Sequence, residues 1–298
     1  MANDSFFANQ DLGRFLLIEN VGNGDSGQVW SAIDKTTREV VALKFFTKAS
    51  MGSVKDEYAK SLEVEHPNLL RPLSQEMIGD FPTIILPYCI KRSAETIAGH
   101  FTESQIWRLL YDISSTLQAL HEHSLGHFDV SPSNILINDK NFMLSDFGAC
   151  HTLTKEETSL ESHSFKSDNL SYGFSAPQPN GNIYNAARDI WSLGATVFFL
   201  YMGCQIWNGL GGRSQTVSTI IPYMRRELPS LSELIMQCLI FDEKKRPTAK
   251  IVQDIAANNI LKGTPSILRT PNLRQKDLKN AASKHSIKNV WPEEMIRN

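Results

Sequence analysis

The apolar pattern of this 298-residue chain changes character once, near residue 90, and that change limits the fold more than any other feature. Before it, FLLIENV (15–21), QVWSAID (28–34) and VVALKFF (40–46) are short runs rich in β-branched and aromatic residues, separated by GNGDSG and by the polar turn KTTRE. VKDEYAKSLEVE interrupts them as one polar helix, closed by HPN, and LLRPLSQEMI and PTIILPY return to strand character. After residue 90 helix dominates. Ile106, Leu109, Leu110, Ile113, Leu117 and Leu120 recur on one helical face, and Thr102 with Gln105 has the spacing of a capping box. NILI and FMLSDF follow as a small hairpin, residues 149–175 read as a long polar loop, and helical patterns return at 188–202, 230–241 and 248–261. Strands first and helices afterwards predict an α+β fold of two lobes sharing a cleft. The smaller lobe, 15–89, is a mainly antiparallel sheet with one helix, and the larger, 90–261, is helical.

Charge and composition exclude several classes. The net charge is -2, with 41% hydrophobic and 21% charged residues, so no general affinity for nucleic acid or anionic membrane is expected. IWSLGATVFFLYMGCQIW (190–207) is uncharged and nearly long enough to span a bilayer, yet it carries Ser192, Gly194, Thr196, Gly203 and Gln205, which suits a buried core helix. Cys89, Cys150, Cys204 and Cys238 are too dispersed for a metal knuckle or redox pair, and MANDSFFANQ has no basic segment leading an apolar one. Both point to an intracellular, cytoplasmic protein, with a nuclear location also open. Residues 1–14 form an N-terminal extension. Residues 262–298 hold eight Lys or Arg against three Asp or Glu, a net +5 that leaves -7 on the first 261. This basic tail reads as a flexible or loosely docked segment, with a regulatory partner as its functional alternative.

Four motifs carry chemistry. In GNGDSGQV, Gly22, Gly24 and Gly27 occupy a G-x-G-x-x-G pattern between two strands, a hairpin able to lay backbone amides over phosphates; a plain turn is the bland alternative. VALK ends at Lys44, one lysine on an apolar strand, suited to phosphate. If it faces inward it needs a carboxylate, for which Glu57 is the candidate and Glu63 the competitor. In HFDVSPSN, Asp129 is suited to accept a hydroxyl proton and Asn134 to hold a divalent ion through its amide oxygen. Twelve residues on, SDFG supplies Asp146 as a second oxygen ligand, with Gly148 to let the backbone turn. Few oxygen ligands, with phosphates completing the shell, suit Mg2+.

In this order and near this spacing, the set resembles the eukaryotic-type protein kinase superfamily from about Phe15 to Leu261. SYGFSAPQ (171–178), RDIWSLG (188–194) and CLIFDEKKRPT (238–248) resemble later family segments. The likeness implies a two-lobed fold with ATP in the cleft and Mg2+ on Asn134 and Asp146. Val21, Val29, Ala42 and Leu136 should sandwich the adenine, with Leu86 as gatekeeper and the backbone from Pro87 to Cys89 as hinge. The implied catalytic set is Asp129, Lys44, Glu57 and Ser131, acting on a protein substrate. Ser171, standing where the family keeps threonine, implies serine/threonine specificity.

The chain departs from the family at specific places. Phe128 replaces an arginine that grips a phosphorylated activation loop in many members, which predicts independence from that phosphorylation even if Thr152, Thr154 or Thr158 is modified. Ser131 replaces a lysine, offering one neutral hydrogen bond and no charge, which predicts slower transfer rather than none. Gln178 replaces a glutamate expected to pair with Arg246, and Ser61 falls where an apolar residue would suit. The loop is also similar to that of Wee-type kinases. A protein serine/threonine kinase is therefore expected. The alternatives are a pseudokinase acting as a binding scaffold and a small-molecule kinase.

Overall fold

The computed structural model describes residues 6–24, 27–47, 51–89, 93–139, 141–154, 173–176, 185–206, 222 and 224–262. The N-terminal part holds strands β1 (Asp11–Leu12), β2 (Phe15–Gly24), β3 (Gly27–Asp34), β4 (Val40–Phe46), β5 (Ser74–Ile78) and β6 (Phe81–Pro87), with helix α1 (Met51–Glu63) between β4 and β5. They form one antiparallel sheet in the order β1-β2-β3-β4-β6-β5. The β-branched and aromatic runs become strands because their alternate residues fill two cores. Phe15, Leu17, Trp30, Leu43, Phe45 and Ile85 close one, and Phe46, Val54 and Ile84 pack the other against α1.

The segment before Phe15 belongs to this lobe more closely than its description as an extension suggests. β1 pairs with β2, and the Phe6 ring stacks 4.1 Å from Phe45 and meets Phe81 edge-on at 5.0 Å. β6 ends at Pro87.

The second lobe contains α2 (Glu103–Glu122), β7 (Leu125–Gly126), β8 (Ile135–Asn138), β9 (Asn141–Leu144), β10 (His151–Thr152), α3 (Ala187–Met202), α4 (Pro229–Cys238) and α5 (Ala249–Leu261). The capping box on α2 is present: Thr102 Oγ1 accepts from the Gln105 N–H, and the Gln105 side chain accepts from the Thr102 N–H. All six residues of its predicted apolar stripe are fully or almost fully buried. α3 is buried nearly all round and ends at Gly203, whose φ of 72° closes the helix in a left-handed cap. That position explains the membrane-like hydropathy of 190–207. Among the described residues no helix is long and apolar enough to cross a membrane. The β8–β9 hairpin and the β7–β10 pair lie between α2 and α3 in sequence and deliver the loops of the cleft. Gln178, Ser171 and the tail from 263 onward fall outside the described residues.

Candidate active site

The centre of the site is an ion triad in which Lys44 and Glu57 are buried and Asp146 is partly exposed. Lys44 Nζ lies 2.8 Å from Glu57 Oε1 and 2.8 Å from Asp146 Oδ1, joining β4, α1 and the turn after β9. Lys44 faces inward because the register of β4 sets it opposite Val29 and Ile84. Glu57 reaches it because Val54, Glu57, Ser61 and Val64 share the buried face of the helical turn, whereas Glu63 is exposed. The competition between the two glutamates is thus decided by helix phase.

Electrostatics follow from that geometry. Burial works against the Lys44 ammonium, but the charges of Asp146 and Glu57 outweigh it and hold its pKa above the ordinary value. Burial pushes the Glu57 carboxyl up to about 7; Lys44 opposes the rise and Asp146 adds to it. Burial also raises Asp146, yet the Lys44 charge and hydrogen bond, with the Gly148 N–H, bring it net below the usual carboxylate range.

The loop from His127 to Asn134 is held from beneath by Asp189 of α3. Its Oδ2 accepts from the His127 N–H at 2.9 Å and its Oδ1 from the Phe128 N–H at 2.7 Å, and His121 Nε2 also lies 2.9 Å from Oδ2. Burial raises the Asp189 carboxyl, but His121, His127 and the backbone donor outweigh it, and the net shift is downward. His127 Nδ1 accepts from the Asp129 N–H, so the ring proton sits on Nε2, which donates to the Ser145 carbonyl at 3.1 Å. Phe147 packs inward against the His127 ring.

Asn134 Nδ2 donates to Asp129 Oδ2 at 2.8 Å and to the Asp129 carbonyl at 2.9 Å. Both bonds use the nitrogen, which leaves the amide oxygen available for a cation. The Ser145 N–H donates to the Asn134 carbonyl, which sets Asn134 beside the turn carrying Asp146. The Asp146 side chain is 36% exposed, and its described bonds all use Oδ1. Among the described residues no three or more His, Cys, Asp or Glu side chains cluster as a metal cage. The free oxygens of one carboxylate and one amide are hard donors of the kind a divalent cation takes.

Strand register puts Val29, Lys44, Ala42 and Leu86 on one face of the sheet. Ala42 is buried opposite Leu86, and Val21, Val29, Leu86, Cys89 and Leu136 are each half-buried. Leu136 is tied across by a bridge to Ser93. Gly22 pairs with Val29, and Gly24 with Gly27. Gly27 has φ 142°, and a Cβ there would stand 1.8 Å from the Phe45 carbonyl oxygen, so only glycine permits this approach of β3 to β4. A Cβ on Gly22 would meet nothing closer than Val29 at 3.8 Å.

A family model for the protein kinase domain matches residues 15–256. The chain belongs to the protein kinase family. It is 28% identical over 255 residues to an Aurora kinase of Yarrowia lipolytica, covering 80% of this chain and 67% of that one. It is 26% identical over 250 residues to the human mitogen-activated protein kinase kinase kinase 4, covering 78% of this chain. It is 27% identical over 255 residues to the serine/threonine-protein kinase dst1 of Dictyostelium discoideum, covering 78% of this chain. The chain spans only 16% of the length of the human kinase and 33% of the Dictyostelium one.

Two residues at which this kinase departs from its family, Ser131 and Phe128, behave differently from a simple replacement, and Arg246 has main-chain partners. Ser131 is 1% exposed, and its Oγ lies 2.9 Å from Ser133 Oγ. Its hydroxyl is engaged by a neighbour in the same loop that carries Asp129. Phe128 is buried with φ 60°, a conformation unusual for a bulky residue, and its ring lies on Gly126 of β7 with the Arg188 guanidinium 5.2 Å from its centroid. Arg246 donates to three carbonyls, Ile240, Phe241 and Ala187, and lies 4.9 Å from the Trp191 ring. Burial lowers its pKa to about 10. Sequence reasoning missed two contributors, Lys60 and Gly126, whose partners are a backbone carbonyl and the ring of a residue just after β7.

Proposed function

We propose that the chain is an ATP-dependent protein kinase that transfers the γ-phosphoryl group to serine or threonine hydroxyls of a protein substrate, with Mg2+ as its ion. The observation that carries this reading is the Lys44 ammonium held between Glu57 and Asp146 at 2.8 Å each. A lysine fixed in that way is placed for phosphate oxygens without rearrangement. Asn134 and Asp146 would hold the ion, which supplies positive charge to the phosphates when bound. Asp129, aligned by Asn134, is assigned to accept the hydroxyl proton. Val21, Val29, Ala42, Leu86 and Leu136 would line the base, with hinge contacts through the backbone to Cys89. Gly22, whose replacement would meet no close protein atom, is assigned to the close approach of phosphate. Residues 15–261 form the kinase domain in this reading, and the basic tail 262–298 serves a regulatory partner. Four free cysteines suit a reducing, cytoplasmic setting.

The test is transfer of labelled phosphate to a generic protein in the presence of magnesium, wild type beside Asp129→Asn. Labelling by wild type alone supports the assignment. Equal signals would favour a scaffold, and transfer only to a small alcohol or amine would favour the small-molecule alternative. With Phe128 where an activation-loop phosphate would be gripped, phosphatase treatment should leave most of the activity; its loss would overturn that part.

A further inference from the structure

We infer that Lys60 is a positioning residue that sets α1 so that Glu57 meets Lys44, an inference that rests on the kinase reading of the site. Lys60 stands one turn after Glu57 on α1, and its Nζ donates to the carbonyl oxygen of Cys150 at 2.7 Å. That acceptor is well fixed. The Cys150 N–H donates to the Phe147 carbonyl, the Cys150 side chain is fully buried, and the next residue enters β10, paired with Gly126. Cys150 also follows Asp146 by only four residues, so the bond joins α1 to the same turn that carries the third member of the triad. Earlier in α1, Val54 packs on Phe46 and Ile84. Ser61, the buried residue next to Lys60, donates its hydroxyl to the Tyr58 carbonyl of its own helix at 2.6 Å, so it offers the turn neither a long apolar surface nor a hydrogen bond. A charge-assisted bond to an immobile carbonyl takes the place of apolar packing, and it fixes the rotation of α1 on which the Lys44–Glu57 contact depends.

The experiment is a double-mutant cycle on the full chain, Lys60→Met against Glu57→Gln. It is read by the dissociation constant of Mg2+-ATP, measured by competition with a fluorescent nucleotide, and by the initial rate of phosphate transfer. Lys60→Met keeps the aliphatic stem and removes the donor. It should weaken Mg2+-ATP binding or lower kcat by about tenfold, the size of one charge-assisted hydrogen bond. KM for the protein substrate should be unchanged, and Lys60→Arg should restore most of the loss. In the Glu57→Gln background the same change should have an effect below about twofold. An unchanged Lys60→Met protein, or an equal loss in both backgrounds, would overturn the inference, because a merely structural lysine gives additive effects. Should thermal melting show that Lys60→Met is unfolded, Lys60→Gln takes its place in the cycle, with the same non-additivity required. Nucleotide binding that shows the coupling in a protein unable to transfer phosphate would sink the kinase reading and leave Lys60 as assigned. Transfer by wild type with an additive cycle would do the reverse.

Discussion

The contact between Gly126 and Phe128 makes a quantitative prediction. Gly126 lies in β7 and does not have a positive φ, so its backbone does not itself require glycine. A Cβ added there would stand 2.3 Å from Phe128 Cζ, 2.6 Å from Cε2 and 2.9 Å from Cε1. Non-bonded carbons settle at about 3.5–4.0 Å, so the ring would have to retreat by roughly 1.2–1.7 Å. It has little freedom to do so, because the Phe128 N–H is held by Asp189 at 2.7 Å, the side chain is 4% exposed and Arg188 lies beside the ring. Gly126→Ala should therefore incur an overpacking cost of about 1–3 kcal/mol. At about 2–4 °C per kcal/mol for a domain of this size, thermal unfolding should fall by roughly 2–12 °C. Transfer should fall as well, since Asp129 is the next residue in the loop. Phe128→Leu lacks the Cε and Cζ atoms, so Gly126→Ala introduced into that background should cost little, a coupling of about 1–2 kcal/mol in the cycle. A melting temperature within about 1 °C of wild type for Gly126→Ala, or the same cost in both backgrounds, would refute the reasoning.

Other outcomes follow from the same geometry. Phe6→Ala removes a half-buried ring stacked on Phe45 and should cost about 1.5–3 kcal/mol in chemical denaturation; no change would mean that the segment before Phe15 does not close the N-terminal core. The hydrogen bonds from Arg14 hold the Asp34 carboxyl down to about 2 from an ordinary 3.8, against the effect of burial and with help from the Thr36 N–H. Its folded pKa lies below its unfolded one, so Asp34 contributes stability above about pH 4 that is lost as pH falls toward 2. Asp34→Asn should flatten that part of the acid-unfolding curve, and an unaltered curve would exclude the Arg14 pair as its cause. Ser131→Lys brings a charge on a stem long enough to leave the buried site and should raise kcat at constant ATP affinity, whereas a fall in kcat would show that the Ser131–Ser133 contact matters more than added charge.

Parts of this architecture can be read from residue types alone, and others cannot. β2, β3, β4 and β6 are visible because alternating β-branched residues are bounded by turn chemistry, and α2 because its stripe and capping box agree. Lys44, Asp129, Asn134 and Asp146 stand out because one lysine on an apolar strand and three oxygen-bearing side chains are informative residue types in an ordered set. Glu57 is harder. Two glutamates lie within reach of Lys44 in sequence, and only the phase that buries Val54, Ser61 and Val64 separates them. β1 is two residues long and has no period to detect. Phe128 reads as a missing cation. Its positive φ, imposed by the two backbone bonds to Asp189, is what folds its ring onto Gly126, and that requires the tertiary structure.

Lys60 and Arg246 show the deeper reason for these misses. Each is a cation that donates to main-chain carbonyls: Cys150 for Lys60, and Ile240, Phe241 and Ala187 for Arg246. Every residue carries a carbonyl, so residue identity does not reveal which of them is left without a helix or strand partner at the right place. The same fact separates the two ends of the Lys60 contact. Changing the Cys150 side chain leaves the acceptor in place and affects only packing, whereas changing Lys60 removes the bond itself. Where a kinase of this family is held together by side chain to backbone contacts, substitution tolerance should therefore be asymmetric, with the donor constrained in type and the acceptor constrained only in the path of its main chain.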